Sequence, residues 1–469
     1  MNLPSLLVAG RNRLALAYFV LSMLAIVAID AIVPPFAAPD EFPHAFRAAS
    51  LSFGQLFPVK GADRWLGVTV DASFVDVFQT LWLTAGQPAP PPAAASAEAR
   101  EIHWSGRPTF FEIPSTGLYG PLLYLPQAAG LTLGRIMGLS VIGSYELARL
   151  LTGFVAVGIA SLAIAWAERG LALLLVVLST PMFLFLAASL SQDGPLIATS
   201  ALFAALATRP TLAPVRGWIA WFCALLIAMG RGPYALLSVL FLRSRAGRPF
   251  GTWLRAPDGP LAPLLLFAIV GLWLVWIGAA SQRTAAADPS VDPHAQLIGL
   301  LADPARVLRV AVDTITKDQI HRLSLEAVGV LGGLSITLSD FAYEAGRFAF
   351  ELAVAACILQ RPAMTAASRL LFALMFLLSL GAVYAALYVT WTPVNAPAVD
   401  GVQGRYMLPF LAALPCILPS LADVSRSRPR LVAMSERIAA TAGLGAWAIM
   451  IAVTVKALFV LDAVYGVTP

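Results

Sequence analysis

Residues 14–33, LALAYFVLSMLAIVAIDAIV, form an almost wholly apolar stretch that follows Arg11 and Arg13 and is followed directly by PPFAAPDEFPHAFR at positions 34–47. Twenty helical residues rise about 30 Å, which is the thickness of the hydrocarbon core of a bilayer. The stretch is longer than the apolar core of a signal peptide, and similar stretches follow it. It therefore predicts an uncleaved first membrane-spanning helix.

The rest of the chain has the same apolar character. Of its 469 residues, 59% are hydrophobic and only 12% are charged, whereas a soluble domain carries about 25% charged residues because its surface faces water. Apolar stretches that predict further crossings occupy residues 145–167, 170–188, 194–208, 218–230, 233–242, 261–280, 342–359, 370–390, 406–421 and 438–460. The sequence therefore predicts an all-α polytopic membrane protein, a single transmembrane domain over residues 1–469 with about eleven transmembrane helices.

The loop charges predict the orientation of these helices. With the N-terminus in the cytoplasm, the short cytoplasmic segments contain many arginines and few acids, while the longer outer loops contain most of the acids. This distribution follows the positive-inside rule for a bacterial inner membrane, and an odd number of crossings places the C-terminus in the periplasm. The net charge of +5 does not indicate nucleic-acid binding, because the basic residues are scattered rather than clustered in one stripe.

Two extracytoplasmic loops are long enough to carry chemistry, at residues 34–144 and 281–341. The first contains a Pro/Ala tract at 87–99, which predicts a flexible connector. Its last part, 119–137, predicts a membrane-surface helix, since a crossing there would invert the charge bias of every later loop. In the second loop, apolar residues recur at helical spacing over 304–320, which predicts an interfacial amphipathic helix.

The polar motif directly after the first apolar stretch is the sharpest candidate for a site. In a helix that begins near Pro39, the side chains of Asp40, His44 and Arg47 share one face. A carboxylate, an imidazole and a guanidinium at the membrane surface suit proton abstraction beside an anionic ligand. The alternative is structural: Asp40 only caps the helix, and Glu41 interacts favourably with the helix dipole.

Two further polar groups lie where predicted crossings end. Asp193, in the segment SLSQDGP at 189–195, is either a helix cap or an acid that projects into an outer cleft. Arg231, in GRGPY at 230–234, lies between two apolar stretches that are too short to cross the bilayer, which predicts a position below the outer surface. A charge at that depth is costly, so we expect an anionic partner, either an acid of a neighbouring helix or a lipid phosphate.

The segment DGVQGRY at 400–406 places Gln403, Arg405 and Tyr406 at the outer mouth of another crossing, where an Arg–Tyr pair is equally typical of an interfacial anchor. All four histidines fall in predicted outer loops: His44, His103, His294 and His321. They would permit a divalent metal near Asp40, but no spacing resembles a ligand motif, and no metal site is assigned. The three cysteines lie in apolar stretches without CxxC spacing and are interpreted as core residues.

Taken in chain order, these motifs resemble those of a bacterial family of polytopic membrane proteins that is similar in layout to the GT-C glycosyltransferases. The resemblance extends over about residues 14–421 and rests on short motifs: Pro39-Asp40-Glu41 with His44 and Arg47, Tyr119-Gly120-Pro121-Leu122-Leu123-Tyr124-Leu125-Pro126, Ala148-Arg149-Leu150, Ser191-Gln192-Asp193, Gly329-Val330-Leu331-Gly332 and Gln403-Gly404-Arg405-Tyr406.

The resemblance implies a GT-C-like fold and an inverting glycosyltransferase. Such an enzyme moves a sugar from a polyprenyl-phosphate donor to a cell-envelope glycan, lipid or protein acceptor. Acids of the first outer loop, here Asp40 and Glu41, match the catalytic position, and Asp193 matches a second acid near the outer end of the third crossing. Arg231 and Arg405 match the basic residues near the donor phosphate. Further candidates stand in the same motifs: His44, Arg47, Arg149, Gln403 and Tyr406. The chain lacks a WWDYG-type signature, which puts transfer to asparagine in doubt.

Two other functions would use the same features. A flippase or transporter of a lipid-linked saccharide needs the cavity and the arginines but no base, although no inverted repeat is visible in the sequence. A non-catalytic membrane assembly subunit uses Asp40 only as a cap and its loops for partner proteins. Replacement of Asp40 and Glu41 separates these functions, because an enzyme loses turnover and keeps donor binding, whereas an assembly subunit is unaffected.

Overall fold

The computed structural model describes residues 3–61, 65–82, 91–209, 212–241, 250–257, 259–280, 290–362, 364–421 and 429–466. Its α-helices are α1 (Leu3–Ile32), α2 (Glu41–Ser52), α3 (Ala72–Trp82), α4 (Ala93–Arg100), α5 (Leu125–Ile136), α6 (Val141–Trp166), α7 (Leu171–Val177), α8 (Pro181–Ala187), α9 (Asp193–Ala207), α10 (Pro214–Gly230), α11 (Phe250–Leu254), α12 (Leu261–Ala280), α13 (Pro293–Ala302), α14 (Ala305–Thr314), α15 (Lys317–Gly329), α16 (Asp340–Leu359), α17 (Ala366–Thr390), α18 (Leu408–Ala413) and α19 (Pro429–Tyr465). Its 3-10 helices are Thr116–Leu118, Pro121–Tyr124, Gly232–Phe241, Gly404–Met407 and Leu414–Cys416, and its strands are β1 (Val59–Lys60), β2 (Leu66–Asp71) and β3 (Pro108–Glu112).

Several helices have the length and apolar composition that a bilayer requires. In the described part of the chain, four are long and apolar enough to cross: Gly10–Ile32, Val141–Trp166, Ala366–Thr390 and Arg430–Tyr465. Three shorter apolar helices accompany them: Asp193–Ala207, Pro214–Gly230 and Leu261–Ile277. The expectation of several apolar helices is confirmed, and the number of eleven crossings stays a prediction.

The bundle has two ends, which we name the Arg11 end and the Asp40 end after residues of α1 and of the segment that follows it. At the Arg11 end, Arg11 Nη1 donates to the carbonyl oxygen of Ala167, just after α6, at 2.7 Å. At the Asp40 end, Arg149 Nη1 of α6 donates to the carbonyl oxygen of Val33, just after α1, at 2.7 Å. From Arg11 to the end of α1 the helix rises about 30 Å. The distance between the two ends is therefore about the thickness of the hydrocarbon core of a bilayer.

The predicted crossing at 170–188 is two short helices, α7 and α8, rather than one continuous helix. Pro181 begins α8 and Thr180 caps it, accepting a hydrogen bond from the Phe183 amide at 3.2 Å. A proline within a helix removes a donor and clashes with the preceding turn, so α7 ends before it. Neighbouring helices bind the freed carbonyl groups: Tyr18 donates to Leu178 at 2.8 Å, and Thr454 donates to Ser179 at 2.6 Å.

Two other predicted crossings also depart from a continuous α-helix. Residues 406–421 form the end of a 3-10 helix, the six-residue helix α18 and a second 3-10 turn, because Pro409 and Pro415 interrupt the apolar stretch. Residues 233–242 belong to the 3-10 helix Gly232–Phe241, and residue 242 lies outside the described residues. Hydropathy identified these segments as apolar, but the prolines decide their backbone conformation.

The first outer loop contains strands, so the all-α prediction is wrong in this part. β1, β2 and β3 form an antiparallel sheet in that order, with Val68 opposite Phe111. The apolar residues of β2, Leu66, Val68 and Val70, alternate with Gly67, Thr69 and Asp71, but this alternation extends over only six residues and the strand was not predicted. The sheet and α3 cover a separate aromatic core around Phe36, Phe46, Phe74 and Phe78.

Short helices in the two outer loops agree in part with the predictions. Part of the Pro/Ala tract is the helix α4, with Ala95 and Ala99 buried, and residues 87–90 of the tract lie outside the described residues. α5 has 12 residues, which is too short to cross a bilayer. α14 is amphipathic: Val310 packs inward, while Leu308 is 71% exposed. The segment 119–137 is a short 3-10 helix followed by α5, and the segment 304–320 is α14 and the start of α15 rather than one helix. Their membrane contact stays a prediction.

Candidate functional site

Asp40 starts α2 in an unusual conformation. Its backbone is left-handed, with φ 55°, a region that non-glycine residues rarely adopt. Its side chain makes no cap hydrogen bond, and its exposed fraction is 54%. Glu41 instead binds the preceding turn, accepting from the Ala38 amide at 3.0 Å. The structural alternative for Asp40, a simple helix cap, is therefore not what the structure contains.

Arg405 fixes this conformation from the far end of the chain. Its Nη1 donates to the Pro39 carbonyl oxygen at 2.7 Å, and its Nη2 donates to the Asp40 carboxylate. Its Nε lies 3.4 Å from a carboxylate oxygen of Asp193. Arg405 is buried, and the two acids offset its charge. Gly404 permits this approach, since a Cβ there would lie 2.4 Å from the Leu323 carbonyl oxygen of α15.

Asp193 links Arg405 to a second arginine, Arg231. Arg231 Nη2 donates to both carboxylate oxygens of Asp193, at 2.9 and 3.1 Å. Its guanidinium lies 4.1 Å from the ring centroid of Tyr406 and 5.8 Å from that of Tyr119. Among the described residues only Nη2 of this guanidinium donates a hydrogen bond, and its side chain remains 12% exposed. Arg231 therefore keeps donors for an anionic ligand, whereas Arg405 has few.

His44 completes the cluster on the α2 side. Its Nδ1 lies 2.6 Å from the Tyr124 hydroxyl oxygen, and its ring stacks on Tyr119 with the ring centroids 6.0 Å apart. Burial lowers the pKa of His44 to about 4, against the opposing effect of the Asp193 and Asp40 carboxylates. Burial would raise the pKa of Asp40, but the adjacent Arg405 guanidinium outweighs it and holds that pKa below its usual value. At neutral pH the cluster therefore contains a neutral imidazole and an ionised Asp40.

Glu41 and Arg149 form a separate, fully buried ion pair. Arg149 donates from Nε and Nη2 to the Glu41 carboxylate at 3.2 and 3.0 Å, and it also binds the carbonyl oxygens of Val33 and Pro34. The Leu190 amide donates to the same carboxylate at 3.0 Å. The side chains are 0% and 1% exposed. This pair joins the ends of α1 and α6 to the loop before α9 and presents no free group to a ligand.

Arg47 and Gln403, two further residues predicted for the site, lie beside the cluster. Arg47 is buried and donates to the carbonyl oxygens of Gln55 and Leu56, so it holds the turn after α2 and does not share the face of Asp40 in a ligand site. The Gln403 Oε1 is buried without a partner among the described residues. The tyrosines Tyr119 and Tyr124 contact the site but were not predicted as site residues, although both belong to the motif at 119–126.

Metal coordination finds no support in the described part of the chain. No group of three or more His, Cys, Asp or Glu side chains is placed there to hold an ion. Asp40, His44 and Asp193 are instead compensated by arginines and tyrosines. The predicted core positions of the cysteines are confirmed, because Cys223, Cys357 and Cys416 are all buried.

The structure thus brings together Asp40, His44, Asp193, Arg231, Arg405 and Tyr406, which the sequence places in four separate segments, and it separates them from the Glu41–Arg149 pair. No curated protein and no solved structure is significantly similar to the chain. A family model described as "Predicted membrane protein (DUF2142)" matches residues 21–414, a range that contains the whole cluster. The chain is therefore a member of the DUF2142 family of membrane proteins.

Proposed function

We propose that this protein is an inverting GT-C-type glycosyltransferase of the bacterial inner membrane, with about eleven crossings, a cytoplasmic N-terminus and a periplasmic C-terminus. Its donor is a polyprenyl-phosphate-linked sugar, and its acceptor is a cell-envelope glycan, lipid or protein. One observation carries the proposal: the half-exposed carboxylate of Asp40 stands directly after a membrane-spanning helix and beside two arginines that share Asp193. The phosphate of a donor dissolved in the bilayer lies at the membrane surface, which is the depth that this proposal gives to Asp40.

Asp40 is the base in this proposal, rather than Glu41. One carboxylate oxygen of Asp40 is bound by Arg405, and the other, Oδ1, accepts no hydrogen bond from the described residues. Glu41 has both oxygens occupied by Arg149 and backbone amides, and it is inaccessible. Of these two acids, Asp40 is therefore the one that can reach an acceptor hydroxyl.

Arg231 is the phosphate ligand, and Arg405 is the residue that positions Asp40. Arg231 has free donors, and the hydroxyls of Tyr119 and Tyr406 lie on rings next to its guanidinium. Burial raises the pKa of Tyr119 to about 12, so its hydroxyl remains a donor at neutral pH. Hydrogen bonds from a charged guanidinium to phosphate oxygens are stronger than hydrogen bonds between neutral groups.

The reaction then proceeds as one displacement. The acceptor oxygen forms a bond to the anomeric carbon while the bond between that carbon and the phosphate oxygen breaks. The acceptor proton passes to Asp40 Oδ1, and the electron pair of the broken bond remains on the phosphate, where Arg231 offsets the charge. Attack opposite to the leaving group inverts the anomeric centre.

An apolar groove near the cluster suits the lipid part of the donor. It has a volume of about 670 Å³ and lies between α15, α16, α17 and α18, with Leu323, Val328, Phe350, Met407 and Leu411 in its walls. Met407, which lines the groove, is two residues from Arg405 in the chain. Such a groove accommodates several isoprene units without exposing them to water.

Transfer in proteoliposomes tests the proposal. Polyprenyl-phosphate-linked hexoses and pentoses are supplied with cell-envelope extracts, and the release of polyprenyl phosphate is measured. The wild type should release it and Asp40→Asn should not, while both bind the donor. A flippase would instead move the donor across the bilayer without releasing polyprenyl phosphate. An assembly subunit would show neither activity, and Asp40→Asn would then complement a deletion strain fully.

A further inference from the structure

A second crevice lies at the Arg11 end of the bundle, on the opposite side of the hydrocarbon core from Asp40. It has a volume of about 580 Å³ and opens between α1, the turn after α6, the end of α16 and the first half of α19. It shares no residue with the candidate site. An inference about it does not rest on the proposed function.

The lining of this crevice is divided between charged and apolar residues. Its charged lining residues include Arg11, Glu168, Arg361 and Glu436, and its apolar wall consists of Leu14, Leu171, Ala172, Leu175, Ala439, Ala440, Gly443 and Leu444. Gly443 allows α19 to contact α7 closely at one side of the crevice, because a Cβ there would lie 2.8 Å from the Cβ of Ala172. A site with charged residues beside an apolar wall matches an amphiphile with a polar head and an apolar chain.

The charges of the lining favour an anion. Arg11 lies 3.7 Å from Glu168, which also pairs with Arg209 at 3.1 Å, and Arg361 Nε pairs with Glu436 at 2.9 Å. The lining of the crevice itself contains three arginines, Arg11, Arg169 and Arg361, and two glutamates, so one positive charge is in excess. Arg361 is 65% exposed, which leaves its guanidinium accessible beyond the ion pair.

Arg169 makes the crevice rigid. It is buried and donates to the carbonyl oxygens of Pro415, Leu418, Pro419 and Cys357, so it ties the segment after α18 and the end of α16 to the turn before α7. Its Nε has no hydrogen-bond partner among the described residues. The crevice is therefore a preformed gap between fixed helix ends.

We propose that this crevice binds an anionic phospholipid. The phosphate lies between Arg11 and Arg361, and one acyl chain follows the apolar wall towards Leu175 and Leu444. Basic pockets between membrane helices are typical sites for acidic lipid head groups, and the apolar wall adds the burial of methylene groups. The lipid belongs to the leaflet that faces the Arg11 end.

Native mass spectrometry of the detergent-purified protein tests this site. The probes are phosphatidylglycerol and phosphatidylcholine with the same acyl chains. We expect the wild type to retain phosphatidylglycerol at least about tenfold better. The double variant Arg11→Gln, Arg361→Gln should lose this preference. Ala440→Phe should weaken the binding of both lipids, because the larger side chain occupies space beside the apolar wall.

Arg309→Gln is the matched control, since Arg309 is an exposed ion-pair arginine that is not in the crevice. It should bind both lipids as the wild type does, and circular dichroism should show that every variant is folded. Equal retention of the two lipids by the wild type would overturn the proposal. So would a double variant that retains phosphatidylglycerol as well as Arg309→Gln does, or an Ala440→Phe variant with unchanged binding.

Discussion

Asp40 and Arg405 are 365 positions apart in the chain and form a charge-assisted hydrogen bond at the start of α2, where Arg405 also binds the carbonyl oxygen of Pro39. The bond holds Asp40 in a left-handed conformation that costs energy for a non-glycine residue. The exposed carboxylate is thus positioned by a segment from the far end of the chain. Strain of this kind is retained where the surrounding structure requires it, which supports a functional role for Asp40.

The paired variants Asp40→Asn and Glu41→Gln should separate chemistry from stability. Asparagine tolerates the left-handed conformation but is no base, so Asp40→Asn should bind donor, fold normally and transfer sugar at least about 100-fold more slowly. Glu41→Gln leaves Arg149 buried without its counter-charge, so it should lose about 3 kcal/mol or more of unfolding free energy. Transfer assays and thermal unfolding measure the two effects. A stable but inactive Glu41→Gln together with a fully active Asp40→Asn would make Glu41 the base.

Lysine substitutions should distinguish the two arginines of the cluster. Arg231→Lys keeps one positive charge beside Asp193 but loses the additional donors, so donor affinity should fall about tenfold or more. Arg405→Lys cannot bind Pro39, Asp40 and Asp193 together, so it should lower kcat and leave donor affinity nearly unchanged. Donor binding and single-turnover rates check this. Equal losses of affinity in both variants would assign both arginines to the phosphate.

Acidification should destabilise the protein through His44. Below its unfolded pKa of about 6.5 the unfolded chain binds a proton that the folded chain rejects until about pH 4. Stability should therefore fall as the pH drops from about 6.5 to about 4, by up to about 3 kcal/mol from this residue. His44→Gln should lose this part of the pH dependence in unfolding experiments at pH 7, 5.5 and 4.5 (roughly spanning that window). Identical pH profiles for the variant and the wild type would contradict the neutral, buried imidazole.

Cysteine labelling should establish the orientation. Ala97 and Pro397 lie on the Asp40 side, and Thr365 lies in the turn between α16 and α17 at the Arg11 side; all three are exposed. The native cysteines are buried, which keeps the background low. A membrane-impermeant maleimide applied from the periplasm should label Ala97→Cys and Pro397→Cys but not Thr365→Cys. The reverse pattern would place the candidate site in the cytoplasm and overturn the proposed function.

Local patterns in the sequence determined much of the architecture. Long apolar stretches such as those of α1, α6 and α17 identified helices directly, because about 20 apolar residues in succession have few stable alternatives. The positions of Asp40, Asp193, Arg231 and Arg405 at helix ends could also be read from the sequence. The breaks at Pro181 and Pro415 and the buried strand β2 were missed, because hydropathy reports burial and not backbone conformation.

Only the tertiary structure determined the partner of each charged side chain and its exposure to solvent. Asp40 and Glu41 are adjacent in sequence and identical in kind of charge, yet Asp40 faces Arg405 and solvent while Glu41 is buried against Arg149. Arg231 and Arg405 looked equivalent, but Arg405 is buried and binds Pro39 and Asp40, whereas Arg231 binds Asp193 and stays partly exposed. The physical reason is the distance along the chain over which each effect acts. Periodicity and hydropathy depend on near neighbours in the sequence, whereas an ion pair depends on the packing that brings charged side chains of distant segments within about 3 Å of each other.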